Sequence, residues 1–177
     1  MNAARYAATE RLRNGAVLQV RALQPGDRPE MLAAVGRLSS QALYRRFFAP
    51  KRSFSEREID FFLNVDFISH VALVAVLREG ERQTIVGGAR YVVSPPGCAE
   101  VAFAIDDPHQ KMGIATHLIR HLIKIARTAG LETFVAEVLP ENVPMLKVFE
   151  RCGLAVTTRS ERGVVHVTLA LSDPALD

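Results

Sequence analysis

The 177-residue chain has only two cysteines, Cys98 and Cys152. They lie far apart, with no histidines at metal-ligand spacing, so neither a zinc site nor a disulfide is expected and both read as buried thiols. Long apolar runs are also missing. The longest, "VALVAVL" at 71–77, is far below the ~18 residues that a membrane span needs. The start, "MNAARYAATERLRNG", scatters its charges where a secretory signal would place a basic end before an apolar block, so a cytoplasmic protein is expected. Nor is there much excess charge. A net +3, with arginines spread along the chain, gives no support to a nucleic-acid partner but suits an anionic small molecule. No internal repeat or low-complexity linker divides the sequence. What is present, 49% hydrophobic and 23% charged residues, is ordinary for one well-packed soluble domain. The expected organisation is a flexible segment at 1–14, a single domain at 15–171 and a tail at 172–177.

Local patterns supply the elements. "AVLQVRAL" alternates as a strand does, and "PGDRPEMLAAVGRLSS" predicts a helix with Asp27 as N-cap and Pro29 in its first turn. "QALYRRFFAPKRSFSEREIDFFLNVD" predicts two short helices broken at Pro50, the second capped by Ser55 with Glu58 three residues on. "HVALVAVLREGERQTIVGGARYVV" reads as two strands and a polar turn, and "SPPG" turns the chain into "CAEVAFAI", so an antiparallel meander is expected. From 112 to 129 the apolar residues at 114, 118, 122, 125, 126 and 129 mark one face of a helix that Gly130 stops. "ETFVAEVL", "ENVPMLKVFERCG" and "GVVHVTLAL" follow as strand, helix and strand. The strand–helix–strand order makes a crossover unit, with parallel strands at 99–105 and 133–139.

"DDPHQKMGIATHLIRHLIKIARTAG" at 106–130 is the turn from that strand into that helix. It lacks the Gly-Lys-Ser/Thr ending of a P-loop. Its amides nevertheless have no intrahelical acceptor and, with the helix dipole, attract anionic oxygens. Gly113 lets the main chain approach an anion, Ala115 keeps the next contact small, and Lys111 adds a charge. A capped helix with an incidental glycine is the alternative.

The wider context carries a resemblance. Gln-x-x-Gly-x-Ala at Gln110, Gly113 and Ala115, preceded by "EVAFAI" and followed by the amphipathic helix, "FVAEVL" and "ENVPMLKVFERCGL", resembles the GNAT superfamily of acyl-CoA-dependent N-acyltransferases. The similarity runs from about Gly15 to Leu171 and is strongest from Ala99 to Leu154. It is closer still to the GNAT domain of bacterial protein lysine acetyltransferases, which have segments similar to "LSSQALYRRFF" and "EVLPEN" and an Ala-Glu pair ten residues before the loop glutamine. The resemblance implies an α/β (α+β) GNAT fold: a mixed, mostly antiparallel sheet of six to seven strands, flanked by helices, with a β-α-β acetyl-CoA-binding unit. It implies that the backbone of Phe103, Ala104 and Ile105 pairs with the pantetheine arm. The pyrophosphate would lie on the amides of Gln110, Lys111, Met112, Gly113, Ile114, Ala115 and Thr116. Asn142 would bond the pantetheine arm, with N-cap of the next helix as its other reading. Acetyl-CoA is the implied cosubstrate, with no metal, and an amine, above all a protein lysine, is the implied acceptor. No nucleic-acid or membrane partner is expected, and a homodimer is left open. Relatives often carry a cyclic-nucleotide or ligase domain, for which this chain has no room, so regulation is expected from elsewhere.

An amine acceptor reaches the site protonated, with an ordinary pKa of about 10.4, and must lose a proton before attacking a thioester. Glu100 is the candidate base, because it sits on the strand that aligns the pantetheine and the lysine acetyltransferases carry their glutamate there; a solvated or salt-bridged glutamate is the alternative. Glu137 is the second candidate, with a structural role beside an arginine favoured for it. Asp106 and Asp107 read as turn and capping groups. Many GNAT enzymes place a proton-donating tyrosine seven residues after the asparagine; here that position is Phe149, which leaves thiolate departure or a proton from water. His109, His117 and His121 read as a solvated face. The rim from Gln41 to Asp66, with Arg45, Arg46, Lys51, Arg52, Glu56, Glu58 and Asp60, fixes no single substrate charge. Three readings stay open: a protein lysine acetyltransferase, an enzyme for a small amine such as an amino acid or polyamine, and an acyl-CoA-binding module without catalysis.

Overall fold

The computed structural model describes residues 1–49, 51, 53–94 and 96–172. Pro50, Arg52, Pro95 and residues 173–177, which fall in the expected helix break, rim, turn and tail, lie outside them. Eight strands form one sheet: β1 (Ala7–Arg11), β2 (Val17–Ala22), β3 (His70–Glu79), β4 (Arg82–Val93), β5 (Cys98–Ile105), β6 (Thr133–Val138), β7 (Ala155–Glu161) and β8 (Val164–Ala170). Their order is β1-β2-β3-β4-β5-β6-β8-β7. Every pairing is antiparallel except β5 with β6. Five helices are α1 (Arg28–Gly36), α2 (Ser40–Phe47), α3 (Glu56–Leu63), α4 (Ile114–Thr128) and α5 (Val143–Glu150).

The expected six to seven strands are eight. β1 lies inside the segment expected to be flexible, and its residues pair with β2 from Ala7 opposite Arg21 to Arg11 opposite Val17. β7 is the other addition. Both are outermost strands, and β7 is exposed along most of its length, so no apolar alternation marks it in the sequence. Asp27 stands at the N-cap position of α1 as expected, but without a side-chain capping bond. Its carboxylate does not cap α1 but takes the Gln24 amide and both arms of Arg21 at 2.7–2.8 Å, closing the turn before the helix. The Ser55–Glu58 capping box of α3 forms as the spacing predicts.

One face of the sheet packs on α4, whose Ile114, Leu118, Leu122, Ile125 and Ala126 are buried with Val101, Phe103, Phe134 and Phe149. The opposite face, with Ala72, Val74, Val76 and Ile85, lies under α1 and the end of α3. β3 is buried over eight successive residues, His70 and the seven apolar ones from Val71 to Leu77, because both its faces are covered. Opposite β3, the register of β4 slips at Val86. This bulge leaves the Ile85 carbonyl for Arg37 and the Val86 carbonyl for the Asp106 amide. Gly87 follows because a Cβ there would stand 2.7 Å from the Ala104 carbonyl.

Candidate active site

The site begins where the parallel pair stops pairing. β5 and β6 are bonded in register only from Cys98 opposite Thr133 to Glu100 opposite Val135. Beyond Glu100, residues 101–105 stay on β4 and part from residues 136–138 of β6. One edge of β5 is therefore open to added hydrogen bonds, as an extended amide-bearing chain requires. The opening leads to the N-terminus of α4.

There the chain folds into an anion-binding shape. Lys111 and Gly113 both have positive φ, at 65° and 85°. Such alternation turns successive amides to one side. Among the described residues the amides of 111–115 find no backbone acceptor, and the first turn of α4 begins with Thr116 and His117 donating to the Gly113 carbonyl. Gly113 is thus needed for its left-handed backbone. No atom lies within 4 Å of a Cβ built on it, so the space above the amides is open.

Strand opening and loop lie in one cleft of about 970 Å³ that includes Glu100, Phe103, Ala104, Ile105, Gln110, Lys111, Met112, Gly113, Ile114, Ala115, Thr116 and Asn142. All the residues that the resemblance singled out are brought together. Phe103 turns its ring into the core against Phe149, with centroids 5.8 Å apart, so it meets the cleft mainly through its main chain. Asn142 stands at the N-cap of α5 but makes no side-chain capping bond; that alternative role is unfilled and its amide remains for a ligand. Phe149, 1% exposed, walls the cleft and has no proton to give.

Glu100 is exposed to the cleft, on the same face of β5 as Ala102 and Ala104. Its field reaches Arg46, whose hold on its proton is weakened by burial and restored in part by this carboxylate. Glu137 also lines the cleft, but its partner is His166 Nδ1 at 3.5 Å on the neighbouring strand, not the expected arginine. Among the rim charges, Glu56 and Asp60 pair with Arg28, and Lys51 pairs with Glu58. Arg45 and Arg46 reach the cleft, and the Arg45 Nε is enclosed without a hydrogen-bond partner. The rim therefore presents arginine inward, a bias its mixed composition hides. Arg11 and Arg13, from the stretch expected to be flexible, join Lys111, Arg120, Lys147 and Arg151 around the cleft. Such a rim attracts polyanions.

Asp106, 1% exposed, holds the loop to the other face: it takes Arg37 Nε at 2.7 Å and His109 Nδ1 at 2.6 Å. Asp107 accepts the Ser39 amide at 2.9 Å, next to α2. These turn groups thus tie the loop to the rim. The histidines are not a solvated face. His121, 8% exposed, accepts the Tyr6 hydroxyl at Nδ1 (2.5 Å) and donates from Nε2 to Glu10 (3.0 Å), while His117 Nδ1 lies 3.3 Å from the same carboxylate. Burial lowers the His121 pKa, in keeping with a neutral ring that accepts on one side and donates on the other. The acidic partner comes from β1, more than a hundred residues earlier, where no local spacing reveals it. Among the described residues no cluster of three or more His, Cys, Asp or Glu could hold a metal ion, and no helix is long and apolar enough to cross a membrane.

Residues 37–154, which include the parting strands, the loop and α5, match the model of the acetyltransferase (GNAT) family. The chain belongs to this family. It is 34% identical over 156 residues to acetyltransferase Pat of Mycolicibacterium smegmatis, covering 87% of this chain and 46% of that protein. It is 31% identical over 122 residues to acetyltransferase PA5475 of Pseudomonas aeruginosa, covering 68% of this chain and 66% of the relative. The chain thus spans about half to two thirds of the length of these relatives. Among solved structures, the GNAT domain of S. lividans PAT superposes with a TM-score of 0.84 at 32% identity, covering 93% of this chain and 96% of that one. The GNAT fold of the present sheet and helices is thereby established.

Proposed function

We propose that this GNAT protein transfers the acetyl group of acetyl-CoA to a primary amine, a lysine side chain of a protein, by direct attack within a ternary complex. The observation that carries the proposal is the position of Glu100, at the point where β5 and β6 part, in the same cleft as the open amides of 111–115. The loop amides and Lys111 would hold the pyrophosphate, the free edge of β5 at Phe103, Ala104 and Ile105 the pantetheine amides, and Asn142 the arm beyond them. Glu100 would take a proton from the incoming ammonium, directly or through one water. The neutral amine would then attack the thioester carbon, the C–N bond forming as the C–S bond breaks. Phe149 supplies no proton, so coenzyme A would leave as thiolate, and the second proton that the nitrogen sheds on becoming an amide would pass to water and from water to the thiolate. A protein acceptor is supported by the resemblance to protein lysine acetyltransferases and by the cleft's reach along α2, whose side chains border it from Gln41 to Phe47.

Glu100→Gln tests the base. Turnover should fall by about 10²–10⁴-fold, with acetyl-CoA affinity nearly unchanged and the acidic limb of the pH–rate profile lost. Wild-type turnover in that variant would move the base elsewhere, with Glu137 next to be tested. Mass spectrometry of proteins incubated with the enzyme and acetyl-CoA tests the acceptor. Rapid acetylation of free amines, with no site-selective lysine modification above background, would replace the protein acceptor by a small one.

A further inference from the structure

Beside the cleft, and sharing Leu38, Arg46, Phe47, Ala102, Phe103 and Ala104 with it, is a smaller cavity of about 110 Å³ on the α1–α3 face of the sheet. Its floor lies on β4 and β5, where Gly88, Ala102 and Ala104 are small, with Gly88 opposite Ala104 and Arg90 opposite Ala102. Three rings wall it: Phe47, Phe54 and Phe62 meet edge-on or tilted with centroids 5.2–6.1 Å apart. Into this apolar chamber come two guanidinium groups. Arg90 lies over the Phe62 ring at 4.7 Å and Arg46 over the Phe47 ring at 4.8 Å.

Neither arginine has a carboxylate partner among the described residues. Arg90 donates to the Phe62 carbonyl at 3.3 Å and to His70 Nε2 at 3.0 Å. His70 carries no compensating charge, since burial and Arg90 itself push its pKa down to about 4. Nearby acids are engaged: Asp106 by Arg37 and His109, and Asp66 by the Ile68, Ser69 and His70 amides. Glu100 acts on Arg46, and Arg46 lowers the proton affinity of Arg90. Two cations therefore face one anion in a poorly hydrated place, an arrangement that is costly without a further negative group. The deficit grows during catalysis, when Glu100 accepts its proton and loses its charge.

We propose that Arg46 and Arg90 form a carboxylate-reading subsite, so that besides acetyl-CoA and a protein lysine the site takes a reactant that carries a carboxylate on a short aliphatic stem. The inference rests on the reading of Glu100 and the loop as an acyl-CoA transfer site. A volume of about 110 Å³ is that of roughly four waters, which two or three methylenes and a carboxylate fill. Rings and alanines pack the stem, and the guanidiniums take the oxygens. The carboxylate can arrive on the acyl group, as in a four-carbon dicarboxylic acyl-CoA, or on the amine. In both cases the same bonds change: C–N forms, C–S breaks, Glu100 takes the ammonium proton, and the second proton shed by the nitrogen passes through water to the departing thiolate or to solvent.

Calorimetry with CoA, butyryl-CoA and succinyl-CoA separates the first source. Succinyl-CoA should bind about tenfold or more tightly than butyryl-CoA, and the ratio should collapse towards one in Arg90→Met, whose fold is checked by thermal unfolding. For the second source, kcat/KM with acetyl-CoA is compared for glycine, β-alanine and γ-aminobutyrate against their primary amides. At least one acid should exceed its amide by about tenfold, and Arg46→Met and Arg90→Met should erase the difference. Either result supports the subsite and names its ligand. If CoA and acetyl-CoA bind but no carboxylate, on acyl group or amine, outperforms its neutral partner, the subsite is refuted while the transfer site stands. If CoA itself fails to bind, the transfer site falls, and the subsite with it.

Discussion

Replacing Gly113 by alanine separates two effects that the structure superimposes. The residue has φ of 85°, where an L side chain costs about 1–2 kcal/mol of backbone strain. No atom lies within 4 Å of the added Cβ, so no clash adds to that cost in the unliganded protein. For a chain of this size each kcal/mol moves the melting temperature by about 2–4 °C, and Gly113→Ala should melt about 2–8 °C below wild type. Binding should suffer separately. The methyl group stands over the amides of 111–115, and weakening charge-assisted bonds worth about 1.5–3 kcal/mol lowers CoA affinity by about 10–100-fold. Gly113→Glu adds repulsion and should abolish binding. Calorimetry with CoA and with pantetheine tells them apart, because the loss belongs to the pyrophosphate and should be absent for pantetheine. A Gly113→Ala protein with the lowered melting temperature but wild-type CoA affinity would refute the cradle and leave the glycine a turn residue only.

Asp106→Asn should destabilise the protein by about 3–5 kcal/mol in urea unfolding, because it strips a buried charge from both Arg37 and His109; a loss below about 1 kcal/mol would mean the tie between loop and rim is dispensable. His70 supplies a pH dependence. Its folded pKa of about 4 lies below the ordinary 6.5, so the unfolded chain binds the proton better. The stability it confers is complete above about pH 6.5 and is lost as pH falls towards 4, to a ceiling of about 3 kcal/mol. His70→Gln, which keeps an acceptor for Arg90, should flatten that part of the stability–pH curve, and an unchanged slope would assign it to other groups.

Much of the site was legible because its signals are local. The loop amides, the glycine and the start of α4 lie within a few residues, and the amphipathic stripe of α4 repeats at helical spacing. The parallel neighbours β5 and β6 followed from chain connectivity, but the point at which they part did not. The outermost strands β1 and β7 escaped notice because neither has a fully buried residue, so no apolar alternation marks them. The Glu10 partner of His117 and His121, and the approach of Arg46 to Arg90, join residues far apart in the chain, which periodicity does not register.

The sequence by itself determined the crossover unit, the turn into α4 and the family, since each depends on residue types at short spacing: a strand running into a helix, a glycine in the turn between them, a carboxylate on the preceding strand. Tertiary structure alone decided which charges face the cleft. The rim acids turn outward onto Arg28 and Lys51, while Arg45 and Arg46 turn inward. Arg90 reaches the smaller cavity beside the cleft from the sheet, beneath Phe62, and meets Arg46 there. Charge in a sequence is a sum, whereas a ligand meets only the charges that packing leaves in front of it, in a medium dry enough for one unpaired cation to matter.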